Sequence, residues 1–414
     1  MSASFLQRPA SFDAQVLRAE FPIFARKVNG FALTYLDSAA SAQKPACVID
    51  ALDWQMRNAY ANVHRGLHTM ANEATEAFED ARKTVAHFLN AADDKEIVFT
   101  SGTTEAINLV ASSFGADLQA GDEIILSEME HHSNIVPWHF LRERKGVVIK
   151  WVGVSDDGQL DLQSYQRAFS DRTSLVALTH MSNVLGTITP AAKLVRIAHA
   201  AGVPILLDGS QAAVHAPVDV QALDVDFYAV TGHKLYGPTG IGALYGKAER
   251  LAALRPYMGG GEMIESVSKD EVLYAAPPYR FEAGTPPILE AIGLGAALKW
   301  LMDQDRAAMA EYENHLAEVT TQGLKAYNDV RILGEAPDKG AIVSFDVHGM
   351  HAHDLAQLMD RYGVAVRAGN HCAEPLMRRF DATSTCRASF AAYNTEADVT
   401  RFLEAFGKAR EFLA

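Results

Sequence analysis

Within Asp224–Tyr245, read as DVDFYAVTGHKLYGPTGIGALY, a short apolar run at Phe227–Val230 ends in Thr231-Gly232-His233-Lys234. Glycines then lead into a second apolar run, Ile241–Tyr245. The pattern predicts a strand, a tight loop and a second strand, with Lys234 at the mouth of the loop. Burying an ammonium is costly, so an amine held among glycines and apolar strand has a lowered pKa and can trap a carbonyl cofactor. Upstream, Val203–Asp208 (VPILLD) reads as an apolar strand with a carboxylate at its C-terminal end. In open α/β sheets ligands bind beyond that end. Lys234 and Asp208 together supply what pyridoxal phosphate asks for: an amine for its carbonyl, and an anion that keeps its pyridine nitrogen protonated. Taken singly, each also reads as an ordinary surface lysine or helix-capping aspartate.

Further reactive residues fall just after other predicted strands. Ile97–Phe99 opens into Ser101-Gly102-Thr103-Thr104-Glu105 and the helical run Ala106–Phe114. Hydroxyls and a glycine at a helix N-terminus form either a plain cap or a phosphate cradle around Thr103. Ile124–Leu126 ends in Glu128-Met129-Glu130-His131-His132. Adjacent histidines diverge, and no partners follow at ligand spacing, so no metal site is expected; an imidazole such as His131 is placed to stack on a planar cofactor or move protons. Leu175–Thr179 leads to Asn183, making five such residues with Thr103, His131, Asp208 and Lys234. Near the C-terminus Cys372 lies in RAGNHCAEP, with Arg367 and His371 close before it, where positive charge favours a thiolate. The alternative for any cysteine is a small buried hydrophobe, and Cys47 and Cys386 take that reading. Arg387, before an apolar stretch, is either a carboxylate clamp or a structural ion pair.

The elements that must position these groups are strands alternating with helices, which predicts a mostly parallel sheet with crossovers. Ala71–Leu89 carries Ala74, Phe78, Ala81, Val85, Phe88 and Leu89 at steps of three and four, an amphipathic helix. Phe31–Asp37 and Val364–Arg367 read as strands, and Phe12–Phe24 as a short helix and turn. Gly- and Pro-rich stretches at Gly259–Glu262 and Phe281–Pro287 precede a long helix, Ile288–Met302, that leaves the first domain. At 414 residues the chain is long enough for two domains. A formal net charge of −14 argues against nucleic acid and offers no basic stripe to a membrane. No signal-like or membrane-spanning run is present, and three cysteines are too few for a disulfide framework, so a reducing cytoplasm is expected.

These residues together resemble the cysteine desulfurases of the class V aminotransferase family, and among them the SufS type. The matching stretches run from EFPIF (Glu20–Phe24) through ANVHRGLHT, SGTTEAIN, EMEHHSNIVPW, MSNVLGT, LLDGSQ, TGHKLYGPTGIGALYG, FEAGTPP and NHCAEPLM to RASFAAYNT (Arg387–Thr395). The resemblance implies an α/β chain of PLP fold type I. It would comprise an N-terminal segment (1–30) packed on the small domain, a large domain (31–290) with a mostly parallel seven-stranded sheet, and a smaller α+β domain (291–414). It implies that Lys234 joins the cofactor, Asp208 meets the pyridine nitrogen, Gln211 the ring hydroxyl, and His131 the ring face. Thr103, Thr231 and His233 match phosphate-binding positions, and Thr285 would reach the phosphate of a second copy in a homodimer. Asn183 and Arg387 match the substrate-carboxylate site, with Arg367 and His64 nearby, and Cys372 matches the persulfide-forming cysteine.

The implied substrate is L-cysteine, with L-selenocysteine cleavage or another lyase or aminotransferase reaction of the same fold as alternatives. The implied sulfur acceptor is a SufE-type or a zinc-containing SufU-type protein. Two positions depart from the pattern: Asn370 stands where these enzymes often have histidine, and Pro287 where they often have asparagine. His353, in HAHD, is either a solvent-facing histidine or a group that takes over a zinc ligand's place when an acceptor docks.

Overall fold

The computed structural model describes residues 12–413. Its centre is a seven-stranded sheet in the spatial order Ile97–Thr100, Gly242–Gly246, Phe227–Thr231, Ile205–Asp208, Thr173–Thr179, Glu123–Ser127, Val148–Val152. Only Gly242–Gly246 runs against the rest; the other six are mutually parallel, so their C-terminal ends share one edge. The inner strands are apolar on both faces because helices cover both: every residue of Ile205–Asp208 and Phe227–Thr231 is buried. Register then levels the ends, with Thr179 opposite Asp208 and Asp208 opposite Ala229.

On one face, Thr69–Leu89 and Ile288–Met302 pack together over the sheet. The first buries Ala74, Phe78, Ala81, Val85, Phe88 and Leu89, as the periodicity requires, and ends at Asn90 in the left-handed conformation (φ 55°). Inside this layer Arg82 is held by both carboxylate oxygens of Glu282 (2.6 and 2.9 Å) and by Glu79 (2.8 Å), which satisfies its burial. The opposite face is covered by Thr103–Gly115 and Val136–Lys145.

A second sheet, all antiparallel, is ordered Val330–Leu333, Ile342–Val347, Thr385–Ser389, Arg367–Gly369. Its core of Tyr312, Phe345, Phe402 and Phe406 lies under the helices Arg306–Lys325, Ala352–Asp360 and Glu396–Leu413. Near the N-terminus, Arg18 bonds Asp398 (2.9 Å), while Phe21 packs on Tyr236, Trp300 and Tyr393. Residues 1–11 of the expected N-terminal segment lie outside the described residues.

Three local expectations differ. Phe31–Asp37 is broken: Thr34–Tyr35 pairs in parallel with Val364–Ala365, and the Asp37 carboxylate is drawn aside by arginines. Val364–Arg367 is likewise split, Val364–Ala365 joining Thr34–Tyr35 and Arg367–Gly369 the small sheet. The Gly-rich connection contains a hairpin, Ile264–Val267 with Val272–Tyr274, whose residues are almost all exposed. No helix among the described residues is long and apolar enough to cross a membrane.

Candidate active site

A cavity of about 420 Å³ opens where the parallel strand ends meet the small sheet. Thr103, His131, Asn183, Asp208, Gln211, Thr231, His233 and Lys234 reach it from the large sheet's edge, and Arg367, Cys372 and Arg387 from the other side. His64 and Thr285 stand elsewhere. His64 pairs with Glu79 (2.8 Å) and packs on Phe78 and Tyr279, and Thr285 is exposed beside Tyr257, Phe281 and Glu290.

Lys234 follows the Phe227–Thr231 strand and keeps access to solvent only partially. Burial pushes its pKa down to about 8 despite the nearby Asp208 carboxylate, which favours the cation; Arg387 pushes the same way as burial. Asp208 ends its strand and accepts both the Ser210 N–H (2.9 Å) and the Ser210 hydroxyl (2.6 Å). That hydroxyl also lies 2.8 Å from Thr103 Oγ1, linking the carboxylate to the first turn of Thr103–Gly115. The chain can turn there because Gly209 carries no side chain: a Cβ would lie 2.0 Å from the Tyr228 ring, whose hydroxyl meets His180 Nδ1 at 2.8 Å.

Gly102 enters the helix at φ 152°, a conformation that side chains rarely adopt, and no side chain caps the first turn, whose residues Thr103 and Thr104 line the cavity beside Thr231. His131 accepts the Ser133 N–H on Nδ1 (3.1 Å), which puts its proton on Nε2. Burial first, then Lys234, lowers its pKa to about 4, so the ring is neutral at pH 7. Beneath it Glu130 is fully buried and pushed up to about 8, with Ser127 (2.5 Å) and Asn134 (2.7 Å) on its two oxygens. Gln211 donates to the Ala39 carbonyl (2.8 Å), fixing its amide at the wall.

From the small sheet, Arg387 is buried on the strand Thr385–Ser389. It donates to the Asn183 carbonyl (2.8 Å) and lies 3.5 Å from Asp37, yet its Nε has no partner. Arg367 takes Asp37 at closer range, 2.6 Å. The cationic side of the cavity is therefore under-compensated at Arg387, as an anion site must be. Cys372 is exposed, and it and His371 both sit in the left-handed conformation, at φ 55° and 53°. The Asn183 amide donates to the His371 carbonyl (2.8 Å). His371 itself is buried, held neutral with a pKa near 3, and bonded to Thr385 (2.8 Å).

The donor set matches pyridoxal phosphate: an amine with lowered pKa, a strand-end carboxylate, a neutral imidazole, and an open helix N-terminus lined with hydroxyls. Sequence reasoning missed Ser210, whose position between Asp208 and Gln211 was the available signal, and Asp37, which had none because its arginine partners lie some 330 positions away. Cys47, read as buried, is exposed on the helix Ala46–Asn58; Cys386 is buried. His353 is exposed on the first turn of Ala352–Asp360, its ring stacked on His351 at 5.0 Å. No cluster of three or more metal-ligating side chains occurs among the described residues.

The aminotransferase class-V model matches residues 34–402. A cysteine desulfurase of Klebsiella pneumoniae (strain 342) is 49% identical over 405 residues, covering 97% of this chain and 100% of that protein. The crystal structure of the cysteine desulfurase CsdA (S-sulfonic acid) from Escherichia coli superposes with a TM-score of 0.91 at 42% identity, covering 97% of this chain and 100% of its own. The apo cysteine desulfurase of Thermococcus onnurineus NA1 also gives 0.91, at 36% identity and 96% and 98% coverage. With this lysine, aspartate and cysteine arranged about one cavity, and with relatives that match from end to end, the chain belongs to the class V aminotransferase family and, within it, to the cysteine desulfurases.

Proposed function

We propose that this chain is a pyridoxal-phosphate-dependent cysteine desulfurase, which converts L-cysteine to L-alanine and takes the sulfur onto Cys372 as a persulfide. One observation carries the reading. A buried amine, a carboxylate and a neutral imidazole enter one cavity from the large sheet, and an exposed thiol enters it from the opposite side. The expected cofactor domain, 31–290, extends through the helix Ile288–Met302, which packs over the large sheet, and the chain beyond it acts as the domain that brings the cysteine, with residues 12–30 as a strap.

Lys234 and Asp208 would hold the cofactor, with His131 on its ring, Gln211 at its hydroxyl, and Thr103, Thr231 and His233 around its phosphate. When bound, pyridoxal phosphate supplies an electron sink for the pair left behind as the substrate's Cα proton departs. Lys234, lowered toward pH 8, is the base for that proton and the acid that returns one to carbon. Arg387 and Asn183 orient the α-carboxylate, and Arg367 shapes the approach; His64, paired with Glu79 outside the cavity, takes no part. The Cys372 thiolate attacks the substrate's sulfur: an S–S bond forms, the Cβ–S bond breaks with its electrons going to carbon, and protonation there completes L-alanine. Substrate and protein thiol thus become alanine and protein persulfide with no external oxidant.

An exposed cysteine on a surface loop suits transfer to an acceptor of the SufE or SufU type, in the cytoplasm. A homodimer in which Thr285 serves the second copy's phosphate is supported by exposed apolar residues that a monomer would leave wet: Trp54, Met56, Tyr60 and Leu67, and on the hairpin Val267 and Leu273. The test is an anaerobic reaction of the holoenzyme with L-cysteine, following alanine release and the mass of the Cys372 peptide. Alanine with one added sulfur supports the reading. Alanine without it indicates a lyase that releases sulfide, and no alanine refutes the desulfurase.

A further inference from the structure

The cysteine loop is held in a conformation that its residues do not favour by themselves. His371 and Cys372 are consecutive non-glycine residues in the left-handed region, so contacts from outside the loop must fix them. Those contacts come from two strand-end loops of the large sheet. The Asn183 amide takes the His371 carbonyl at 2.8 Å, and the backbone N–H of His132 takes the Cys372 carbonyl at 2.7 Å. Within the loop, Asn370 accepts the Cys372 N–H at 3.1 Å.

His132 makes a second bond. Its ring Nε2 accepts the N–H of Glu374 at 3.1 Å. Glu374 is the first residue of the helix Glu374–Arg379, which no side chain of the preceding residue caps, so His132 satisfies a helix-end donor directly after the cysteine. The same residue therefore grips the chain on both sides of Ala373. His132 does not line the cavity, whereas its neighbour His131 does. The pair divides the work: one ring faces the cofactor site, and the other fixes where the thiol stands relative to it.

We infer that His132 is a positioning residue for sulfur transfer, holding the Cys372 loop docked against the loop that carries His131. This rests on the desulfurase reading. Removing the ring leaves the backbone bond in place but takes away one of the bonds that define the docked loop. The loss of one such bond lowers the equilibrium constant for docking by about fivefold, and the rate of persulfide formation by up to the same factor. Substrate binding does not pass through His132, so it is left alone.

In the holoenzyme, His132→Ala is compared with His132→Gln, whose amide oxygen accepts the same N–H. Rapid-quench single turnovers with L-cysteine read the mass of the Cys372 peptide, and L-alanine titration followed by visible absorbance reads amino-acid binding. The expected result is persulfide formation slowed, by up to about fivefold, in His132→Ala, L-alanine affinity within about twofold of wild type, and most of the rate restored by glutamine. An unchanged rate overturns the inference. So does a parallel loss of L-alanine affinity, or an alanine defect that glutamine does not repair.

If His132→Ala fails to hold its cofactor, His132→Leu against His132→Gln carries the test, because leucine fills the space of the ring and cannot accept the Glu374 N–H. Slower transfer in the leucine variant alone supports the inference, and equal rates overturn it. Wild-type protein that forms no persulfide refutes the desulfurase reading itself, an outcome separate from either of these.

Discussion

Lys234→Met tests the electrostatics of the site without any turnover. Lys234 titrates at about 8 against an ordinary 10.5, a drop caused first by burial and only partly countered by Asp208. At about 1.4 kcal/mol per pH unit, keeping the ammonium in the folded protein costs roughly 3 kcal/mol, and partial solvent access through the cavity reduces that to about 2 kcal/mol. The sign follows from proton linkage. The unfolded chain binds this proton more tightly than the folded one, so stability is lost as pH falls from 10.5 toward 8 and the penalty is complete below that. Methionine has similar length and no charge. The cofactor-free variant is therefore expected to be more stable than cofactor-free wild type by about 2 kcal/mol at pH 7, with the gap closing toward pH 10.5. Urea unfolding of both proteins at pH 7 and pH 10 measures it. A variant equal to or less stable than wild type at pH 7, or a gap that ignores pH, would refute the claim that the fold holds this amine at an energetic cost.

Cys372→Ala should keep the holoenzyme's visible absorbance and its L-alanine affinity while alanine production from L-cysteine falls by at least about a hundredfold; normal turnover would remove Cys372 from the mechanism. Arg387→Lys replaces a buried fork, whose Nε is unpartnered, by a point charge, and should raise KM for L-cysteine roughly thirtyfold, read in steady-state assays; an unchanged KM would assign Arg387 to the Asp37 ion pair instead. Glu130, raised by burial to about 8, stabilises the fold fully below its ordinary carboxyl range, and that contribution is lost as pH rises through about 8. Glu130→Gln should therefore flatten the decline in stability between pH 5 and 9 seen by thermal unfolding, and an unaltered slope would place the decline elsewhere.

Much of the large sheet was readable locally. Strands such as Ile205–Asp208 are continuous apolar runs because both faces are covered, and Thr69–Leu89 shows its buried stripe at helical spacing. Short elements fared worse. Thr34–Tyr35 and Val364–Ala365 are strands only because they pair with each other across the chain, and neither has a periodicity of its own. The exposed thiol of Cys47 also escaped local reading, since exposure on an amphipathic helix depends on what packs against the other face.

The sequence by itself determined which chemistry was available: a lysine after one strand, an aspartate ending another, a histidine after a third, and a cysteine in a polar loop. Those assignments need only the side chain and the element that precedes it, and parallel strands bring their C-terminal ends to one edge. Only the tertiary structure decided how the groups are tuned and aimed. Burial, not composition, brings Lys234 to about 8 and His131 to about 4. Long-range contacts divide Asp37 between Arg367 and Arg387, and tie the Cys372 loop to His132 and Asn183. Desolvation and hydrogen-bond geometry depend on neighbours that the folded chain brings together from far apart, and no local stretch of sequence encodes them.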